Sequence, residues 1–154
     1  MVYRMKKVEL LAPAGNLEKL KMAITYGADA VYIGGEEYNL RAGADNFSEE
    51  DMKEGIEFAH ERNKKVYVTM NIIPHNSDLE GMAEYVEKLS KLGADAIILS
   101  DPGVYMIVKE TAPDMEIHLS TQANNTNWKS AMFWYKHGVK RVILARELSF
   151  SEIR

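Results

Sequence analysis

The sequence contains no cysteine among its 154 residues. Disulfides, zinc–thiolate sites and iron–sulfur ligation by these residues are therefore excluded. The four histidines are scattered, and none belongs to an H-E-x-x-H motif or another paired metal-binding spacing. We therefore predict no metal site in the chain. The G-x-S-x-G motif that marks the nucleophile of many serine hydrolases is also absent.

Long apolar runs are lacking as well. The longest are the size of strands, such as residues 96–99, whereas a membrane helix needs roughly 20 apolar residues. The basic N-terminus leads into no signal-peptide core, so we expect a cytoplasmic protein that does not engage a membrane. A net charge of −4, from 19 basic and 23 acidic residues, argues against this chain binding nucleic acid alone.

A short pattern recurs three times: a glycine, one or two polar residues, and then an apolar strand. Its copies begin at Gly27, Gly93 and Gly138. Each glycine suits the left-handed position that follows the last residue of a helix. The strands are apolar on both faces, as in a parallel sheet that is covered on both sides. Three copies in one chain indicate repeated βα units.

The remaining strands complete a count of six. We predict strands near residues 8–12, 30–33, 65–71, 96–99, 117–121 and 142–145. The predicted helices begin at polar residues suited to N-caps, namely Asn16, Ser48, Ser77 or Asp78, Asp101, Asn127 and Ser149.

This order predicts an α/β fold, a parallel (β/α) TIM-type barrel truncated after about six strands. A complete barrel takes about 250 residues. We therefore interpret residues 1–154 as the N-terminal part of a single TIM-barrel-like catalytic domain whose C-terminal remainder is absent. The alternative is a doubly wound open sheet, but the loop at residues 12–16 carries no G-x-G-x-x-G motif.

Functional residues of such barrels cluster at the C-terminal ends of the strands. From these positions we predict that substrate is bound by Gly15, Gly35, Asn71, Ser120 and Asn124. We predict catalytic roles for Asp101, Gln122, Arg146 and Glu147.

Several of these residues also have plain structural interpretations. Asp101 precedes Pro102 and is a good helix N-cap. Residues 120–127 offer donors and acceptors to a polar organic ligand, or they form a solvated loop. Arg146 could hold a carboxylate or phosphate, or it could pair locally with Glu147. Glu9 either sits at the exposed N-terminal end of the first strand, where it has no catalytic role, or points inward, where it requires a basic partner across the barrel.

Six stretches, at residues 9–16, 28–34, 66–71, 100–103, 118–124 and 144–149, resemble in order the N-terminal region of peptidase family U32, the collagenase-like proteases. The resemblance implies a barrel-type catalytic domain. Other members look like hydroxylation proteins acting on tRNA wobble uridine, ribosomal RNA cytidine or a ubiquinone precursor. Their iron–sulfur cluster is associated with cysteines beyond the region present here. The resemblance therefore implies no cofactor within this chain, and an inactive fragment when it is alone.

Three functions remain open at this point. The main hypothesis is part of an RNA hydroxylation enzyme, in which Gln122, Asn71 and Arg146 position a substrate or a carboxylate-bearing oxygen donor such as prephenate. RNA would then be bound through the missing region. The alternatives are a genuine collagenase-like peptidase and a non-catalytic ligand-binding barrel. Open sheet edges also predict self-association of the chain.

Overall fold

The computed structural model describes residues 8–40 and 46–153. Six strands are present: β1 (Leu11–Pro13), β2 (Ala30–Gly34), β3 (Lys65–Met70), β4 (Ala96–Leu99), β5 (Ile117–Leu119) and β6 (Arg141–Val142). They alternate with the helices α1 (Leu17–Thr25), α2 (Glu49–His60), α3 (Met82–Leu92), α4 (Pro102–Thr111), α5 (Trp128–Lys136) and α6 (Phe150–Ile153). None of these helices has both the length and the apolar character needed to cross a membrane.

All neighbouring strands are parallel, and they lie in the order in which they occur along the chain. A doubly wound sheet would instead reverse its direction of growth at a switch point. The sheet curls into part of a (β/α) barrel with the helices outside, which confirms the predicted fold class. Among the described residues, β1 and β6 form its two edges.

Both faces of the sheet carry clusters of apolar side chains. Alternate residues such as Val31, Val68 and Leu99 pack outward against the helices in one large core. The other set faces the inside of the curl and forms a smaller cluster around Ala30, Tyr67, Ala96 and Ile98, with Leu11, Tyr32 and Ile143 packed against it. This division explains why the strands read as apolar runs without alternation.

The predicted helix starts are confirmed at four polar residues. Asn16, Ser48, Asp101 and Asn127 each accept a backbone N–H of the first turn with a side-chain oxygen. At Ser149 the chain shows the reciprocal half of a capping box, because the Glu152 carboxylate accepts the Ser149 N–H at 2.8 Å. The glycines of the repeated pattern have φ values of 111°, 86° and 87°, in the expected left-handed region.

The start of the third helix differs from the prediction. Residues Asn76–Leu79 form a short 3-10 turn, in which Asp78 accepts the His75 N–H at 2.7 Å. The α-helix begins only after Gly81, whose φ of 78° interrupts the helical path. Strand β1 also lies about two residues later than expected, at Leu11–Pro13.

Candidate functional site

A cleft of about 490 Å³ opens at the C-terminal ends of the strands. Its walls come from the loops that follow β1, β2, β3, β5 and β6, as expected for a barrel-type site. Five of the predicted site residues line it: Gly15, Asn71, Ser120, Gln122 and Arg146. The fold therefore brings together residues that are as much as 131 positions apart in the chain, from Gly15 to Arg146.

The floor of the cleft is apolar and partly aromatic. It is made by the inward-facing side chains of Leu11, Tyr32, Ile98 and Ile143, which belong to the inner cluster. Such a floor can take the face of a hydrophobic or unsaturated group and exclude water beneath it.

One wall is built from asparagine amides on the β2–α2 loop. Asn39 is buried and donates from its Nδ2 to the Oδ1 of Asn46 at 3.3 Å. The Leu40 N–H donates to Oδ1 of Asn71 at 3.4 Å, which ties this loop to the end of β3. Gly34 permits the arrangement, because a Cβ at that position would lie 1.9 Å from Nδ2 of Asn39.

The opposite wall follows β5 and β6. Ser120 is buried, and its hydroxyl accepts the Gln122 N–H at 3.3 Å. Arg146 is exposed and makes no hydrogen bond or ion pair with any residue that the structure describes. The described residues therefore include no ion pair between Arg146 and Glu147. Arg146 is the one charged side chain among the described residues of the cleft lining, so it is the natural partner for an anionic group.

The other four predicted site residues lie outside this lining. Asp101 Oδ1 accepts the N–H groups of Gly103 and Val104 at 2.7 and 3.0 Å, which is the helix-capping role. Asn124 is exposed in a left-handed conformation, with a φ of 49°, and ends the short 3-10 turn Thr121–Ala123. Gly35 forms a bridge with Phe47. Glu147 is exposed beside Arg146. Their functional roles stay predictions.

A polar network lies below the cleft, inside the curl. Glu9 accepts the Tyr67 hydroxyl at 3.0 and 3.1 Å and an Arg141 N–H at 2.5 Å. The basic partner that an inward Glu9 requires is therefore Arg141. The Arg141 hydrogen bond lowers the pKa of Glu9 below its usual range, and burial together with the Glu9 contact raises the pKa of Tyr67.

Residues that the sequence analysis did not single out also line the cleft. Tyr32 of β2 and Thr69 of β3 face the inside of the curled sheet. Because side chains alternate between the two faces along a strand, their positions in the sequence could have identified them. Thr69 donates its hydroxyl to the Ile33 carbonyl at 3.0 Å, which is a structural use. Asn39 lies in a loop, and no periodic signal in the sequence marks it.

The described lining offers amide, hydroxyl and guanidinium groups that can bind a ligand. No histidine or carboxylate lies among its residues, so Ser120 and Thr121 have no base there to activate a hydroxyl. Within residues 8–40 and 46–153 no group of three or more potential ligands could hold a metal ion. The arrangement suits a small polar molecule that carries an anionic group and an apolar face.

Comparison with known proteins shows what the chain is similar to. The sequence model of peptidase family U32 matches residues 15–154. The chain is 52% identical to tRNA hydroxylation protein P1 of Bacillus subtilis over 97% of its own length and 35% of the relative's. It is 48% identical to tRNA hydroxylation protein P of Escherichia coli, over 97% and 33%. An uncharacterized protease of Methanocaldococcus jannaschii is 45% identical, over 97% and 36%. The chain thus spans about a third of these relatives.

Solved structures of similar fold include the U32 peptidase Mk0906. Its TM-score is 0.71 at 14% identity, with 92% of this chain and 61% of that chain covered. A 3-hexulose-6-phosphate synthase from Salmonella typhimurium gives 0.62 at 18% identity, with 89% and 63% covered. At these identities the likeness concerns the fold, and it supports a barrel architecture.

Proposed function

This chain belongs to peptidase family U32, and we propose that it forms the ligand-binding part of an enzyme that hydroxylates RNA, with tRNA as the substrate. The proposal also takes residues 1–154 as the N-terminal part of a single barrel domain. The relatives named as tRNA hydroxylation proteins support it, because two of them are 48–52% identical over nearly the whole chain.

The observation that carries the proposal is the composition of the cleft. Its described lining combines neutral amides and hydroxyls with a single cation over an apolar floor. In the proposed reaction, Arg146 holds a carboxylate of a small oxygen donor such as prephenate. Asn71 and Gln122 orient the polar atoms of the donor or of the RNA base. The floor excludes water from the face of the bound ring.

A second part of the proposal concerns the iron–sulfur cluster that family membership implies. The residues present do not fit such a cluster, because the sequence has no cysteine and the described part holds no metal-binding group. We therefore propose that its cysteine ligands lie outside these 154 residues. The acidic net charge of −4 also suggests that other parts of the protein contribute the contacts to RNA phosphates.

The peptidase alternative requires an activated nucleophile or a metal-bound water. The described cleft places no histidine or carboxylate beside Ser120 or Thr121. His118, two residues before Ser120, is buried and bonded to Glu116 at 2.8 Å. The geometry therefore favours ligand binding for hydroxylation over peptide hydrolysis at this cleft.

The test is to express the full-length protein in a bacterium that lacks its own tRNA hydroxylation proteins. Hydroxylated uridine in tRNA is then measured by mass spectrometry. Arg146→Gln should lower it about 10- to 100-fold, because a charge-assisted hydrogen bond is worth about 1.5–3 kcal/mol. The control is Arg62→Gln, which removes an arginine that stacks on Phe58 at the end of α2. Full hydroxylation by the Arg146 variant, or gelatin cleavage that Ser120→Ala abolishes, would contradict the proposal.

A further inference from the structure

Two tyrosines face the inside of the curled sheet on neighbouring strands. Tyr32 of β2 and Tyr67 of β3 are register partners, yet their hydroxyls have different surroundings. The Tyr67 side chain is almost fully buried, and its hydroxyl donates to the Glu9 carboxylate. That hydroxyl is therefore explained by the structure of the protein itself.

The Tyr32 hydroxyl has no such explanation. Its ring packs on the inner apolar cluster and lines the cleft. The hydroxyl makes no hydrogen bond with any residue in the described part of the chain. Among Leu11, Ile98 and Ile143, a phenylalanine would supply the same apolar surface. A hydroxyl that makes no hydrogen bond within the described residues, placed at the floor of a binding cleft, is available to a ligand.

The lining of the cleft also indicates which kind of ligand could bind the Tyr32 hydroxyl. Arg146 supplies the one cation among the described lining residues, and Leu11, Ile98 and Ile143 supply an apolar surface. A ligand that contacts the Arg146 cation, the apolar surface and the Tyr32 hydroxyl has an anionic group, an unsaturated ring and an oxygen atom attached to that ring. Both a cyclic carboxylate such as prephenate and a uridine nucleotide have this chemistry.

We propose that Tyr32 is a specificity-determining residue, whose hydroxyl donates a hydrogen bond to a ring oxygen of the ligand that Arg146 holds by its anionic group. This inference rests on the proposed function and adds a residue to it. The hydrogen bond orients the ring on the apolar floor. It also distinguishes ligands that carry an oxygen at that position from those that lack it, since an unpaired polar group in a binding site is costly.

The experiment is isothermal titration calorimetry of the wild-type protein and three variants with two probes, prephenate and uridine 5′-monophosphate. Tyr32→Phe should weaken binding of the recognised probe about tenfold, the effect of losing one hydrogen bond in the site. It should leave the midpoint of urea unfolding unchanged. Tyr67→Phe, the matched control, should show the opposite: a lower unfolding midpoint, with affinity unchanged at a temperature where the protein is folded.

Arg146→Gln separates this inference from the proposed function. If the wild type binds a probe and Arg146→Gln loses it while Tyr32→Phe binds with full affinity, the Tyr32 inference is overturned and the anion site stands. If the wild type binds neither probe, the ligand assignment of the proposed function and the Tyr32 inference both fail. The probe that binds identifies the source of the ligand, a carboxylate donor or a nucleotide.

Discussion

His118 lies fully buried inside the curl, one layer below the cleft. Its Nε2 is bonded to Glu116 at 2.8 Å, and its ring meets the edge of Tyr67 with the centroids 4.6 Å apart. Its Nδ1 has no hydrogen-bond partner in the described part of the chain. Burial, assisted by the charge of Arg141 and opposed by the Glu116 hydrogen bond, lowers the pKa of His118 below its usual value. The folded protein thus favours a neutral imidazole.

The lowered pKa predicts a pH dependence of stability. In the unfolded chain His118 takes up a proton near pH 6.5, whereas in the folded protein it does so only at lower pH. Between the pKa values of His118 in the folded and the unfolded chain, the unfolded state binds more protons. The free energy of unfolding therefore falls as the pH drops below about 6.5. We expect the free energy of unfolding, measured by urea titration, to be lower at pH 5.5 than at pH 7.5.

The matched variant is His118→Gln, which keeps a polar side chain without a titrating group. Its free energy of unfolding should change less than that of the wild type over the same pH interval. Staying above pH 5 keeps the carboxyl group of Glu9, whose pKa is lowered, out of the measurement. An equal pH dependence in the wild type and the variant would show that His118 does not cause the effect.

At the scale of the elements, the repeated Gly-Ala-Asp pattern has a structural use that its spacing alone does not reveal. Asp29 precedes β2 and accepts the Leu10 N–H, next to β1, at 3.1 Å. Asp95 precedes β4 and accepts the N–H of Val66, in β3, at 2.8 Å. Each aspartate therefore accepts a backbone N–H at the N-terminal end of the strand that neighbours the one it precedes. The third copy has Lys140 at this position and cannot do the same.

Asp95→Ala should therefore destabilise the fold without affecting the cleft, which lies at the opposite ends of the strands. The variant removes the acceptor of the Val66 N–H and of the His60 ring nitrogen at 2.9 Å. We expect a loss of about 2 kcal/mol in the free energy of unfolding, because hydrogen bonds to charged groups contribute about 1.5–3 kcal/mol. Urea unfolding measures it.

Asp114→Ala is the control, since Asp114 is exposed and makes no hydrogen bond with a described residue. This second variant should change stability by less than about 0.5 kcal/mol, as usual for surface positions. Similar losses in the two variants would mean that the strand-end hydrogen bonds contribute no specific stability.

For the molecule as a whole, the two edges of the described sheet differ in how well their helices are packed. Helix α1, next to β1, buries Leu20 and Ile24, whereas α5, next to β6, buries no residue fully. On α5, Trp128 is 67% exposed and Tyr135 71%. Exposed aromatic side chains beside an open strand edge favour association with another polypeptide.

We therefore predict that the 154-residue chain self-associates through this edge. Sedimentation velocity should show a weight-average sedimentation coefficient that rises with protein concentration. Trp128→Lys combined with Tyr135→Lys should reduce the rise, because charge opposes burial of the helix face. Met106→Lys, which alters a residue 58% exposed on α4, is the control and should have no effect. A sedimentation coefficient independent of concentration in the wild type would contradict the prediction.

Much of the architecture could be predicted because the signals are local. Apolar runs, glycines after helices and capping residues such as Ser48 and Asn127 act through neighbouring backbone, so their spacing reveals them. The prediction was wrong for the start of α3, where Gly81 interrupts a helix that Ser77 or Asp78 was expected to begin. Here the 3-10 turn Asn76–Leu79 and the α-helix that begins after Gly81 compete within a few residues.

The sequence by itself determined the order and parallel arrangement of the strands and the polar residues at their C-terminal ends. Only the tertiary structure decided which of those residues share a cleft, because that depends on the curl of the sheet and on loop paths between distant segments. It brings Gly15, Asn71, Gln122 and Arg146 together and leaves Asp101 as a helix cap. It also pairs Glu9 with Arg141 across 132 residues, because a buried carboxylate needs a cation that only folding can bring near.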